Sequence, residues 1–229
     1  MTWLMLVLTL ILGGCFANPI IDNKPITRPR QIGFIVTSLD QKTTFMEIPQ
    51  YMYKVSELKN DIKIEAYGFQ TYKGKSSEVI TLTPDPVFWL ASLIWAEARG
   101  EPLLGQAAVG QVVLNRVKDL RFNNSIVNVI FEYTETNGKK HWQFSCIPDQ
   151  QIYIAWQDKN SFENIRTLAQ EIILGSRFDP ELTEALGFFN PEKVLAYDPY
   201  RTNWVWKQPV LKEIGNHRFF SIPFNCFPS

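Results

Sequence analysis

Three hydrophobic patterns succeed one another along the chain. Residues 3–12 (Trp-Leu-Met-Leu-Val-Leu-Thr-Leu-Ile-Leu) form one unbroken apolar run. Residues 18–30 hold three prolines and little periodicity, which reads as an extended linker. Over 31–83 the apolar residues come in short β-branched or aromatic runs at 32–36, 45–48, 62–67 and 78–82. Turn-like sequence such as Tyr72-Lys73-Gly74-Lys75 separates them. From Thr83-Pro84-Asp85-Pro86 onward the spacing becomes helical. Val87, Leu90, Ala91, Ile94, Trp95 and Ala98 predict a first helix that stops at Gly100. Leu104, Ala107, Ala108, Val112, Leu114 and Val117 predict a second, with Gly105 and Gly110 permitting close helix contact. Residues 125–132 suggest a short third. Asn160-Ser161-Phe162-Glu163 resembles a capping box opening a fourth, which runs to Gly175. Strand-like pieces follow at 186–190, 203–206 and 218–222. The pattern predicts an α+β chain: a small β-rich module over 31–83, then a mainly helical domain with a small β part over 84–229.

The run at 3–12 is too short for a membrane-spanning helix, which needs about 20 residues. It has the length of a signal-peptide core, and small residues follow at 13–17. The first basic residue is Lys24. Residues 1–17 are therefore expected to direct export to the periplasm or cell envelope. Two cleavage readings stand. Leu12-Gly13-Gly14-Cys15 resembles a lipobox, with Cys15 lipidated as the new N-terminus. Cys15-Phe16-Ala17 instead suits a general signal peptidase cutting before Asn18. A third is an uncleaved anchor. Membrane contact is expected only through this end. With Cys15 lipidated or removed, two of the three cysteines remain. Cys146 and Cys226 either pair in an oxidising compartment or stay as buried thiols.

The chain has 23 Lys and Arg against 23 Asp and Glu. Neutrality argues against a nucleic-acid binder, which carries a basic excess or stripe. At 45% hydrophobic residues the chain is no disordered protein. By region, residues 18–83 hold nine basic and seven acidic residues, and 84–229 hold fourteen and sixteen.

One acidic residue stands inside the first, almost wholly apolar helix. Glu97 follows Ile94 by three positions and so lies on or beside the buried stripe. A carboxyl group there is neutralised, paired or functional. Desolvation favours the protonated form of a carboxyl, the condition for a general acid working near neutral pH. The alternative is a salt bridge to Arg99, Arg116 or another cation. Glu101, after Gly100, is expected in the turn that opens the second helix, as a structural residue.

These residues belong to a larger set. Leu93-Ile94-Trp95-Ala96-Glu97-Ala98-Arg99-Gly100-Glu101-Pro102, then Gly105-Gln106-Ala107-Ala108-Val109 and Val112-Val113-Leu114-Asn115-Arg116-Val117, resemble the cell wall hydrolase family typified by the spore-cortex-lytic enzyme SleB. Gln143-Phe144-Ser145, Gly187-Phe188-Phe189-Asn190-Pro191 and Gly215-Asn216-His217-Arg218-Phe219-Phe220 resemble its later blocks in order. The resemblance covers about residues 86–222. It implies a lysozyme-like fold, no cofactor, and cleavage of peptidoglycan glycan strands between N-acetylmuramic acid and N-acetylglucosamine. It further implies a lytic transglycosylase reaction, with Glu97 as general acid and base forming 1,6-anhydro ends. A water-using muramidase on the same bond is the alternative among enzymes, and needs a second carboxylate. Asp149 and Asp198 are the loop candidates. From another class, a non-catalytic wall-binding protein would keep the fold without turnover. A phage-encoded wall enzyme fits the same residues.

Other residues carry weaker expectations. Gln143 and Ser145 suit a sugar-binding cleft or an ordinary turn. Asn190 either reads an N-acetyl group or forms the Asn-Pro turn. Trp204 and Trp206, two apart on an expected strand, share a face that stacks on sugars or joins the core. His217 is expected to line the cleft or cap a helix end; with Cys146 it would make a Cys/His pair for a peptidase. His141 beside Lys139 and Lys140 reads as a solvated loop residue. Zinc ligation by Cys146, His141, His217 and Cys226 lacks close ligand spacing. The polar stretch 132–140 departs from the family pattern as an insertion at the cleft rim, and 31–83 has no recognised counterpart. The neutral charge balance suggests wall binding through sugar contacts, with weak salt dependence.

Overall fold

The structure is a computed structural model that describes residues 33–37, 43–58, 61–75 and 82–223. The apolar run at 3–12, Cys15, the linker, most of the expected strand at 78–82 and Cys226 lie outside the described residues. The chain divides into two units, Met1–Asp85 and Pro86–Ser229.

The first unit is built from antiparallel strands. β1 (Gly33–Thr37) pairs with β2 (Thr43–Glu47). β3 (Tyr53–Leu58), β4 (Asp61–Ala66) and β5 (Tyr72–Lys75) form a sheet in that order. Met52, Ile64, Phe69 and Leu82 are buried beneath it. The segment Tyr72-Lys73-Gly74-Lys75, expected as a turn, is strand β5, with Tyr72 opposite Ile64 and Lys75 opposite Asp61. Gly74 serves there by being small: a Cβ on it would lie 2.2 Å from the Tyr72 hydroxyl. β3 was not foreseen, because Tyr-Lys-Val-Ser-Glu-Leu lacks a continuous β-branched or aromatic run and its pairing with β4 is what makes it a strand.

The second unit is organised around α1 (Pro86–Ala98). Every residue from Phe88 to Trp95 is buried, so this helix is apolar all round and runs through the centre. Ser92 is tolerated inside because its Oγ donates to the Phe88 carbonyl at 2.9 Å. α2 (Leu103–Lys118), α3 (Ile126–Ile130) and α4 (Lys159–Ile173) surround it. A Cβ on Gly110 would lie 2.7 Å from Ile172 Cδ1 and 3.0 Å from Ile94 Cδ1, so this glycine sets the close approach of α2 to both neighbours. Between α3 and α4 stands the hairpin β6 (Tyr133–Thr136) and β7 (Lys139–Trp142), which takes up most of the stretch expected as an insertion and runs two residues past it. Its two-residue turn has Asn137 and Gly138 at positive φ, as such hairpins require. α4 starts one residue before the expected capping box: Asp158 is the cap, accepting from the Ser161 N–H. Beyond it come β8 (Gly187–Phe189), α5 (Pro191–Tyr197), β9 (Val210–Ile214) and β10 (His217–Phe220). The three strands form an antiparallel sheet ordered β8-β10-β9.

The expected strand at 203–206 is instead a 3₁₀ helix, Trp204–Lys207. Asn203 caps it by accepting from the Val205 N–H at 3.2 Å. Asp198 gathers the preceding loop with four donors: the Thr202 N–H and hydroxyl, the Asn203 N–H and the Trp206 indole. Trp204 and Trp206 therefore do not share a strand face. Trp204 packs edge-on against Phe220, and Trp206 against Phe189.

Candidate active site at the end of the central helix

Glu97 is the penultimate residue of α1 and is half-buried. Its Oε1 accepts a hydrogen bond from the Cys146 backbone N–H at 3.1 Å and meets the Ser145 hydroxyl at 3.5 Å. Neither expected arginine is its partner. Arg99 lies over the Trp95 ring at 4.3 Å, and Arg116 is used elsewhere. The carboxyl group is thus directed by a loop 48–49 residues away in sequence, with no cation supplied by either arginine.

That loop is held from two sides. The Gln143 N–H donates to the Glu132 carbonyl at 3.1 Å and closes the base of the β6–β7 hairpin. Beneath it, Arg116 is buried on α2. Its Nε donates to the Leu186 carbonyl at 2.7 Å and its Nη1 reaches Gln143 Oε1 at 3.4 Å. The guanidinium lies 5.0 Å from the rings of both Phe122 and Phe144. Burial lowers Arg116 to about 10, still well above neutrality, and the Glu132 charge opposes the shift. Burial pushes the Glu132 carboxyl up, against the pull of Arg116 and of Asn123, whose amide donates to Oε1 at 2.8 Å. In the sequence, the place of Arg116 in the Asn115-Arg116-Val117 block is the one signal of this supporting role.

Glu101 does a different task. Its carboxylate accepts from the Asn216 backbone N–H at 2.8 Å and from the Asn216 amide at 3.0 Å. This ties the turn between α1 and α2 to the β9–β10 turn. Burial raises its carboxyl, but the two Asn216 donors outweigh that and hold it below the ordinary carboxylate value. Gly215 completes the latch, with φ at +58° and room for a Cβ only 2.1 Å from Glu101 Oε2. The structural reading of Glu101 is thus what the structure shows, by a contact made across the fold.

The remaining sequence candidates fall into two groups. Phe144, Phe188 and His217 form a row of rings, with centroids 6.3 Å and 5.2 Å apart. His217 is buried on β10, its Nδ1 is without a hydrogen-bond partner, and burial lowers its imidazole below 6.5. It caps no helix. Asn190 is the N-cap of α5, its Oδ1 accepting from the Lys193 N–H at 3.0 Å, which is the turn-forming alternative. Trp206 is half-buried, with Arg201 4.9 Å from its ring. Asp198, a candidate second acid, is occupied by its four donors. Burial pushes its carboxyl up, and those donors more than reverse the shift. Asp149 lies on the loop that meets Glu97, its N–H donating to the Ser145 carbonyl at 3.3 Å. His141 is exposed on β7, a strand rather than the expected loop. Cys146 is a buried free thiol. Burial, then the Glu97 charge and hydrogen bond, push it far above an ordinary thiol, which removes the peptidase reading's thiolate. Cys226, the other half of the expected pair, lies outside the described residues. Among the described residues no three His, Cys, Asp or Glu side chains gather as metal ligands, and no helix is long and apolar enough to cross a membrane.

Residues 100–220 match the sequence model of the Cell Wall Hydrolase family, more than half of the chain. The chain belongs to the cell wall hydrolase family. Glu97 precedes the first matched residue by three positions. Two similar cell wall hydrolases are spore cortex-lytic enzymes. That of Bacillus subtilis is 37% identical over 130 residues, covering 57% of this chain and 35% of the relative. That of Bacillus cereus is 35% identical over 130 residues, covering 57% and 42%. The chain spans about two-fifths of the length of these relatives. Among solved structures, the catalytic domain of the germination-specific lytic transglycosylase SleB from Bacillus anthracis is similar at 32% identity and a TM-score of 0.45, over 59% of this chain and 93% of that one. The catalytic domain of the Bacillus cereus SleB protein is similar at 32% identity and a TM-score of 0.44, over 59% and 89%.

Proposed function

We propose that this member of the cell wall hydrolase family is exported and cleaves the glycan strands of peptidoglycan between N-acetylmuramic acid and N-acetylglucosamine. The reaction is that of a lytic transglycosylase. The observation that supports it is the placement of Glu97: a half-buried carboxyl at a helix end, engaged by a backbone N–H instead of an arginine.

In this reading Glu97, in its acid form, donates its proton to the glycosidic oxygen as oxocarbenium character develops at the muramic acid C1. The departing N-acetylglucosamine takes that proton. The resulting carboxylate then removes the proton of the muramic acid 6-hydroxyl, whose oxygen attacks C1 and closes a 1,6-anhydro ring. No water is consumed and no second carboxylate is required. Gln143 and Ser145, on the loop that meets Glu97, are the nearest hydrogen-bonding contacts for the sugars. Asn190, Trp206 and His217 are carried as further substrate contacts from α5, the 3₁₀ helix and β10. Asp149, whose N–H donates to the Ser145 carbonyl at 3.3 Å on the same loop, is the candidate for a second reading. With it as base, water would be the nucleophile.

Mass analysis of fragments released from purified sacculi tests both. The expected products carry anhydromuramic ends, lighter by one water than hydrolysed ends. Hydrolysed ends from the parent, abolished by Asp149→Asn, would establish the muramidase instead. Glu97→Gln should cut release by about 10²–10⁴-fold, the usual range for a general acid or base. Equal release by parent and variant would remove Glu97 from the mechanism, and release by neither would support a wall-binding protein.

A further inference from the structure

The first unit carries a cleft that the chemistry at Glu97 does not use. It has a volume of about 410 Å³ and is lined by Tyr51, Tyr53, Tyr67, Lys54, Glu65 and Thr71. The backbone builds it. Met52 is fully buried and anchors the 3₁₀ turn Gln50–Met52 that carries Tyr51. The Tyr67 N–H donates to the Met52 carbonyl at 2.9 Å, which pins the end of β4 against that turn. Tyr51 and Tyr67 are therefore held at one place, and yet 50% and 49% of their surfaces face solvent. A single exposed aromatic is ordinary, but two beside a concave surface mark a binding site.

The polar lining narrows the ligand. Lys54 stands directly opposite Glu65 in the β3–β4 register, and Glu65 is also bonded to Lys63 at 2.5 Å. Lys63 and Lys73 also act on this one carboxylate, so the cleft lies in a mildly basic setting. It offers ring faces together with hydroxyl, ammonium and carboxylate groups. A pyranose has that complementary character: C–H faces that lie on aromatic rings, and rim hydroxyl and acetamido groups that donate and accept.

We propose that this cleft binds a peptidoglycan glycan strand, stacked on Tyr51 and Tyr67, and so anchors the chain on the wall. The proposal rests on the reading of the second unit as a peptidoglycan-cleaving domain. A weak site on the same chain raises the local concentration of glycan for that domain without any contact to the scissile bond.

The test uses the full chain carrying Glu97→Gln, so that binding is read without turnover, and measures its co-sedimentation with purified sacculi. Tyr51→Ala with Tyr67→Ala is expected to weaken retention roughly tenfold, as two lost ring contacts would. Tyr51→Phe with Tyr67→Phe keeps the ring faces and should retain most binding. Thr71→Arg, at an exposed position outside the strands, blocks the cleft while leaving the core intact, and should also weaken retention. In the chain with Glu97 intact, the alanine pair should slow release from sacculi and leave cleavage of short soluble glycans unchanged. Retention of the alanine pair and of Thr71→Arg at the parent level overturns the proposal, as does equal loss on sacculi and on short glycans. If the chain with Glu97 cleaves neither substrate, the reading of the second unit fails, while co-sedimentation still decides the cleft.

Discussion

At the scale of single residues, the candidate site rests on a backbone contact. Cys146 engages Glu97 through its N–H, which any residue at that position supplies. Cys146→Ala should therefore leave wall-degrading activity within about threefold of the parent, whereas losing a catalytic nucleophile costs orders of magnitude. Fragment release from sacculi checks this. Arg116 is the opposite case, because its side chain is the support. It bridges Gln143, Phe144 and the Leu186 carbonyl from a buried position. Arg116→Met leaves the Leu186 carbonyl without its donor and removes the charge that acts on half-buried Glu132. The expected cost is about 1–3 kcal/mol, that of an unsatisfied buried polar group, read from urea denaturation.

At the scale of elements, the turn between α1 and α2 and the β9–β10 hairpin are joined through Glu101. Glu101→Ala removes two hydrogen bonds to Asn216, whose exposed donors then turn to water, an expected loss of about 1 kcal/mol. The sign of its pH dependence follows from the lowered carboxyl. A carboxyl of ordinary value 4.5 in the unfolded chain and lower in the folded one stabilises the fold above pH 4.5. That stability is lost as pH falls through the folded value. Thermal melts between pH 7 and pH 3 should show a shallower acid decline for Glu101→Ala than for the parent. The second glutamate of the Ala-Glu-Ala-Arg-Gly-Glu motif is thereby separated from the first: one positions a hairpin, the other stands at the site.

At the scale of the whole molecule, charge is balanced. The 23 basic residues match the 23 acidic ones, with an excess of two basic residues over 18–83 and of two acidic residues over 84–229. Attraction to an anionic polymer is not built in, and both the site at Glu97 and the tyrosine cleft offer short-range contacts. Wall-degrading activity measured between 50 and 500 mM salt should change by less than about threefold, since contacts of this kind are only weakly screened. A loss of orders of magnitude would show that charge carries the binding.

The helical part of the chain was legible from periodicity. α1 and α2 follow from local spacing, with the stop expected at Gly100 falling just beyond the α1 end at Ala98, and so did the singling out of Glu97 as a carboxyl on an apolar helix. The β-rich character of 31–83 was legible, while β3 and β5 were not, because neither sequence favours a strand until β4 pairs with it. The same limit applied at 203–206, where Asp198 and Asn203 draw donors into a 3₁₀ turn that β-like composition conceals. What only the tertiary structure decided is which partners meet. Glu97 contacts Ser145 and Cys146 instead of Arg99 or Arg116, Arg116 supports the loop from below, and Glu101 reaches Asn216 115 residues away. Periodicity and capping act over a few residues, so they can be read along the chain. These contacts form only when separate helices, hairpins and loops pack together, and no local pattern encodes them.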